Sequence, residues 1–289
     1  MQPTVAGILM ALLSAAAWAI STVLIKAGMR DKSPVTVNIV RLYIVSVLFA
    51  VILGITGRLH RVLSLPPLLL GIAFLSGVLG FVVGDYFYFH ALRRMGVSRT
   101  VPITSTYPLW TMLWAFLFLG RSVSPRVVVG AIMVVAAIII VKRAEEKEQA
   151  DPRGFIYALL APISWSLAIL LMDWLTGYVD VLTLSGIRMI FATLAISTLL
   201  PRYLPELKRI TPGELLLLAG AAVSGLLIGQ YTFVYSVDLV GSEIAAPVSA
   251  INPVIASALA VVFLGEKPGR RIIEGLLLAV IGVILISTA

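Results

Sequence analysis

Ten stretches of this chain, near 5–27, 35–56, 68–92, 98–119, 125–141, 154–175, 181–200, 213–238, 243–264 and 271–288, are predominantly apolar, and the charges fall mostly between them. Crossing a hydrocarbon core takes about 20 apolar residues as helix, a length each stretch reaches or approaches. In lipid every backbone N–H and C=O needs a partner inside the chain, so only helices and closed barrels can cross. The stretches lack the alternation of a barrel strand, which leaves helices. Composition agrees: 60% of the 289 residues are hydrophobic and 12% charged, against roughly 45–50% and 25% in soluble domains. The expected fold is an all-α membrane protein of ten transmembrane helices, multi-pass in the cell membrane and without a soluble domain.

The same setting reinterprets features that would mislead in a soluble chain. The net charge of +8 fits basic loops flanking membrane spans, and no nucleic-acid partner is expected. The segment LLSAAAWAI has the apolar run and small residues of a signal peptide but no basic region before it. A similar pattern recurs in mid-chain from Gly154, and both are read as retained spans. The absence of cysteine excludes disulfides, thiolate metal sites and cysteine catalysis.

Displacing the sequence by 145 positions lays residues 80–141 on 225–286 without a gap. Glycine and proline are the informative matches, because apolar identities come cheaply in membrane helices. Gly80, Gly84, Gly96, Gly120 and Gly130 meet Gly225, Gly229, Gly241, Gly265 and Gly275; Pro102 and Pro108 meet Pro247 and Pro253. An offset of 147 pairs Gly7, Trp18 and Arg41 with Gly154, Trp165 and Arg188. The chain therefore divides into repeats 1–146 and 147–289, of five helices each. Five is odd, so repeats joined end to end enter the membrane in opposite directions. Loop charges agree: Lys26, Arg30 and Lys32 follow the first run and Arg93, Arg94 and Arg99 the third, whereas the equivalent places in the second repeat carry Asp173, Asp180, Asp238 and Glu243. Conversely, Arg202, Lys208 and Arg209 precede the eighth run, and Lys267, Arg270 and Arg271 the tenth. Such an exchange is what an inverted repeat requires. The even-numbered loops hold only Arg58, Arg61, Arg121 and Arg126, so counting Lys and Arg alone puts both termini outside.

Ten helices in two inverted halves, AAAW and ISWS in the first and sixth runs, an arginine in the second and seventh, and FLGRSVSP and FLGEKPGR after the fourth and ninth resemble the EamA-type drug/metabolite transporters. The resemblance covers essentially the whole chain; FLGE is its most specific piece, and Arg121 departs from it in the first half. It implies a secondary active transporter, often an exporter of amino acids or other small metabolites, with a central cavity lined by both halves. It also implies cytoplasmic termini, against the charge count, and the sequence leaves orientation open.

The candidate site residues are the polar and aromatic groups inside the runs. Asp85 lies well inside the third, about two turns before Arg93 and Arg94. An ionised carboxylate there costs at least about 2.5–3.5 kcal/mol, so it must face a cavity or a partner, as a substrate-amine or proton site or as a neutral or paired packing residue. Gln230 takes its place in the second repeat. Tyr86 and His90, matched by Tyr231 and Tyr235, make a stripe four residues apart that suits either a cavity wall or the interfacial aromatic belt. Arg41 and Arg188 would clamp a carboxylate bidentately, or snorkel to headgroups or pair between helices. Trp18 and Trp165 sit beyond reach of an interface and are expected to line the cavity or pack the core. Pro102, Pro108, Pro247 and Pro253 interrupt the fourth and ninth helices as candidate gating points. Thr104 and Ser249 would satisfy freed backbone groups there, and Tyr107 and Asn252, each directly before a proline, would face the cavity. GFVVG and GLLIG allow close helix packing.

An intramembrane enzyme and a channel are the rival readings. The sequence has no HExxH, catalytic cysteine or P-loop, the residues before Asp85 read VVG where an aspartyl protease has GxGD, and no filter is recognisable. No cofactor or metal is expected. The expected partners are the lipid bilayer, a small-molecule substrate and a coupling proton or ion, for a monomer or homodimer.

Overall fold

The computed structural model describes residues 3–29, 31–142, 151–264 and 270–289, and among them every regular element is helical. The first repeat contains α1 (Pro3–Met29), α2 (Pro34–Ile55), the short α3 (Leu59–Ser64), α4 (Pro67–Val78), α5 (Gly84–Thr104), α6 (Tyr107–Leu119) and α7 (Pro125–Lys142). The second contains α8 (Pro152–Thr176), α9 (Val181–Ile196), α10 (Leu200–Leu207), α11 (Pro212–Ala221), α12 (Gln230–Val240), α13 (Ser242–Ser249), α14 (Asn252–Leu264) and α15 (Arg270–Ser287). Two π-helical segments, Leu79–Val83 and Ala222–Gly229, carry α4 into α5 and α11 into α12.

Helix starts follow local chemistry. Ser33, Asp151, Asp180 and Thr211 cap α2, α8, α9 and α11 by accepting a hydrogen bond from a first-turn amide. Prolines open α2, α8 and α11, where the missing N–H would be unpaired anyway.

Among the described residues six stretches are long and apolar enough to cross a membrane: Thr4–Ile25, Pro34–Ile55, Pro67–Met95, Pro152–Thr176, Val181–Leu207 and Pro212–Val240. The chain is a multi-pass membrane protein. Shorter apolar helices, Tyr107–Leu119, Pro125–Ile140 and Ile273–Ser287, occupy the fourth, fifth and tenth runs, and α13 and α14 divide the ninth. The fourth and ninth runs, where interruptions are expected, each break into two helices, at Ser105–Thr106 and at Ala250–Ile251. Both breaks come two to three residues before a proline, which has no N–H for the carbonyl four residues back and whose ring crowds that carbonyl. A correction concerns the loop expected around Arg93–Arg99, which is assigned as helix. The chain nevertheless doubles back there, since Met95 packs on Gly154 near one end of α8 while Tyr107 meets Trp165 in its middle.

The repeats run antiparallel. Gly7, near the start of α1, lies against Leu239 and Val240 at the end of α12; its equivalent Gly154, near the start of α8, lies against Arg94 and Met95. Between α2 and α9 the hydroxyls of Ser46 and Thr193, 147 residues apart, meet at 2.6 Å, so the pseudo-twofold axis passes between them. At the periphery α7 packs on α15 so closely that a Cβ on Gly130 would come within 2.6 Å of the Gly282 carbonyl oxygen, and one on Gly282 within 2.7 Å of that of Gly130. Buried clusters join the repeats directly: Ile169, Met172 and Leu184 pack with Phe233, Val234 and with Ala73.

Candidate functional site

The two π segments organise the centre. A π turn widens the helix and leaves carbonyls for outside donors, a geometry common at functional sites. Asn38 Nδ2 donates to the Phe81 carbonyl at 2.8 Å, Ser164 to Leu79 at 2.8 Å, and Ser14 to Gly229 at 2.9 Å. The first segment ends just before the second glycine of its GxxxG, Gly84, and the second ends on the equivalent Gly229, and each of those glycines receives a tryptophan from the other repeat. A Cβ on Gly84 would lie 2.4 Å from Trp165 Cδ1, and one on Gly229 2.6 Å from Trp18 Cδ1.

The equivalent indoles then differ in what they touch. Trp18 Nε1 donates to the Gly225 carbonyl at 3.0 Å, whereas Trp165 Nε1 donates to Asp85 Oδ1 at 3.1 Å. Aromatic rings repeat the symmetry around them: Tyr88 lies 5.3 Å from Trp165 and Phe233 5.2 Å from Trp18. Tyr107 approaches Trp165 edge-on at 6.5 Å, and its hydroxyl donates to the Ala246 carbonyl at 3.4 Å. Asp85, Trp165, Tyr88 and Tyr107 are therefore one constellation, built from both repeats. Arg41 and Asn38 on α2 face Asp85 as well.

The two arginines are equivalent in sequence and unlike in surroundings. Arg188 is 2% exposed; its Nε donates to Ser76 Oγ at 2.9 Å, its Nη1 meets Met172 Sδ at 2.9 Å, and its guanidinium lies 5.4 Å from the Phe81 ring centroid. It neither snorkels nor faces open space. Arg41 sits near Gly225 and Ser21, and its buried Nε has no hydrogen-bond partner. No carboxylate lies within 4.0 Å of either guanidinium among the described residues.

Other expected residues lie apart from this centre. The rings of Tyr86 and His90 are 4.2 Å apart and those of Tyr231 and Tyr235 6.2 Å apart, so both stripes form, but Tyr86 and Tyr235 are exposed. Tyr86 lines a mostly apolar cleft of about 220 Å³ together with Asn38. A larger cleft, about 490 Å³, lies between Ser122–Pro125 and Glu243–Ile244; neither cleft is lined by Asp85 or Arg41. Gln230 opens α12 and Asn252 opens α14, both half-buried.

The prolines do not all interrupt helices as expected. Pro108 and Pro253 stand in the first turns of α6 and α14, after the breaks, whereas Pro102 falls within α5, near its end, and Pro247 within α13. The Pro102 side chain and the GEKPG of FLGEKPGR lie outside the described residues. Ser249 donates to the Ala245 carbonyl and Thr106 to that of Ile103, so hydroxyls do satisfy backbone groups at the breaks.

Sequence reasoning missed Asn38, Tyr88 and the π segments, for which the doubled GxxxG was the available signal. It also missed that Arg121 pairs with Asp173 and Glu243, three residues noted separately for their loop charge.

A family model described as the EamA-like transporter family matches residues 5–143 and, again, residues 152–288. A protein of Archaeoglobus fulgidus named an uncharacterized transporter is 28% identical over 96% of this chain and 97% of its own length. A Listeria innocua protein named for sugar uptake is 26% identical over 76% of this chain and 79% of its own. A solved crystal structure superposes with a TM-score of 0.82 at 17% identity, covering 96% of this chain and 95% of the other, a likeness of fold alone.

Proposed function

This chain belongs to the EamA-like transporter family, and from that premise we propose that it is a secondary active transporter of a small zwitterionic metabolite, an amino acid or similar polar or amphipathic solute, exported by alternating access through a cavity between the repeats. In this reading each repeat, divided at 146/147, crosses the cell membrane five times, with the α13–α14 tandem completing one crossing. The observation that carries it is the unmatched pair at the centre: Asp85 and Arg41 face one another without forming an ion pair, and Arg41 Nε is buried with no partner. An orphaned buried guanidinium N–H is costly, and a solute carboxylate against Arg41 with its ammonium against Asp85 would satisfy both charges in one step. Trp165, Tyr88 and Tyr107 would flank the solute from one side, and Trp18, Gln230 and Asn252 from the other. When the ammonium leaves, a coupling proton takes its place on Asp85. Arg188, on α9, is held through Nε and Nη1 by Ser76 of α4 and Met172 of α8 and ties those helices together.

A sugar is the second reading, favoured by the name of the Listeria relative and by the aromatic rings and amides around the centre. A neutral sugar leaves the Asp85 and Arg41 charges unused. Uptake of radiolabelled solutes into proteoliposomes, with and without a pH gradient, separates the two. Saturable flux of amino acids, unaffected by excess sugar, is expected; competition by sugars alone would exclude the zwitterion, and flux no greater than in protein-free liposomes for either class would count against a transporter of this kind.

A further inference from the structure

We propose that Arg121, Asp173 and Glu243 form a lock that holds one face of the transport path shut and must come apart for that face to open, an inference that rests on the transporter reading above. The chemistry is local and specific. Gly120, at φ +64, ends α6 and turns the chain so that Arg121 reaches across to the second repeat. Its two terminal nitrogens meet the two oxygens of Asp173 at 2.8 and 2.7 Å, and Nη1 also donates to Glu243 Oε2 at 2.7 Å. Asp173 in turn accepts the backbone N–H of Ser242 at 3.0 Å, so the same carboxylate anchors the first turn of α13. Gly241, at φ +80, leaves the room: a Cβ there would come within 2.1 Å of Arg121 Nη1 and 2.5 Å of Glu243 Oε2.

Position makes this more than a surface pair. The Asp173 side chain is fully buried while that of Arg121 is 33% exposed, so water can reach the guanidinium but not the acid it holds. Burial works against the Arg121 charge, and the hydrogen bonds and charges of Glu243 and Asp173 more than offset it, raising the guanidinium above its usual value. Bidentate, charge-assisted networks of this kind are stronger than isolated pairs. The lock gathers the ends of α6 and α8 and the start of α13, and α6 and α8 carry Tyr107 and Trp165. Asp173 is eight residues beyond Trp165, about 12 Å along the helix at 1.5 Å per residue. Separating α6 from α8 at this end would open a path from that face to Asp85.

The test uses the full-length protein, which has no cysteine of its own. Ser166 lies between lock and centre, buried, with its Oγ accepting from Trp114 Nε1 at 2.9 Å across the α6–α8 contact. With Ser166→Cys as reporter, labelling by a membrane-impermeant maleimide from the face bearing Arg121 is measured in otherwise unaltered protein, in Arg121→Ala and in the milder Glu243→Gln. The lock predicts labelling about tenfold faster in Arg121→Ala, as a minor open state becomes populated, a smaller rise in Glu243→Gln, and no change from the opposite face. Unchanged labelling in folded Glu243→Gln and Arg121→Ala, or equal rises from both faces, would overturn it; if Arg121→Ala does not fold, Glu243→Gln decides alone. Labelling does not depend on flux: a lock that fails here leaves the transport reading standing, and absent flux beside face-specific labelling removes that reading and keeps the lock.

Discussion

Asp85 and Gln230 occupy equivalent places, as do Arg41 and Arg188, yet in each pair the structure surrounds the two members differently. Asp85 receives an indole N–H; Arg188 is bound by Ser76 and Met172 while Arg41 keeps a free N–H. The sequence showed which residues were paired by the repeat, but not which arginine was occupied, because Ser76 and Met172 come from helices far apart in sequence. The difference predicts opposite outcomes. Arg41→Met is expected to fold normally and weaken solute affinity about 10–100-fold, the loss of one charge-assisted hydrogen bond of about 1.5–3 kcal/mol, measured by binding titration in detergent. Arg188→Met is expected to lower thermal stability by about 1.5–3 kcal/mol through loss of the charge-assisted bond that Arg188 Nε donates to Ser76, whose hydroxyl keeps its own bond to the Ala168 carbonyl. Equal stability of the two variants would contradict the assignment. Gly84→Ala is expected to displace Trp165 and cost about 1–3 kcal/mol by overpacking, with the shift in the tryptophan emission spectrum as its readout.

At the level of elements, the starts of helices were legible because capping residues and prolines act on their own neighbours. The π segments were not: their widened turns answer Asn38, Ser164, Trp18 and Ser14, donors brought in from other helices. The broken fourth and ninth helices were half legible, since Pro108 and Pro253 marked the breaks, which lie two to three residues ahead of them. Each proline starts a helix after a two-residue turn, and replacing it removes the bias against continuing the helix. Pro108→Ala and Pro253→Ala are therefore expected to express near normally and slow transport in proteoliposomes. Unchanged rates in both would show that the breaks take no part in alternating access.

Across the whole molecule the duplication carried most of the fold, because a repeat of odd helix number admits only an inverted arrangement. Its departures carried the rest. Arg121 breaks the FLGE pattern of its repeat, and the register sets it against Glu266 and Asp173 against Lys26, so the charge at each of these two positions changes sign between the repeats. Asp31 and Tyr178 are equivalent at the offset of 147 and both exposed. Asp31→Cys and Tyr178→Cys are expected to react with an impermeant thiol reagent from opposite sides of the membrane, and the side that reacts fixes the orientation; reaction from one side would refute the inverted arrangement. The claim on which the functional account turns is that Asp85 holds the solute's ammonium and the coupling proton in turn, and it is tested by gradient-driven flux in proteoliposomes. With a pH gradient imposed, the unaltered protein should drive a labelled amino acid across the membrane and Asp85→Asn, equally folded and inserted, should not. Asp85→Asn moving the same solute with unchanged rate, affinity and pH profile would contradict the account.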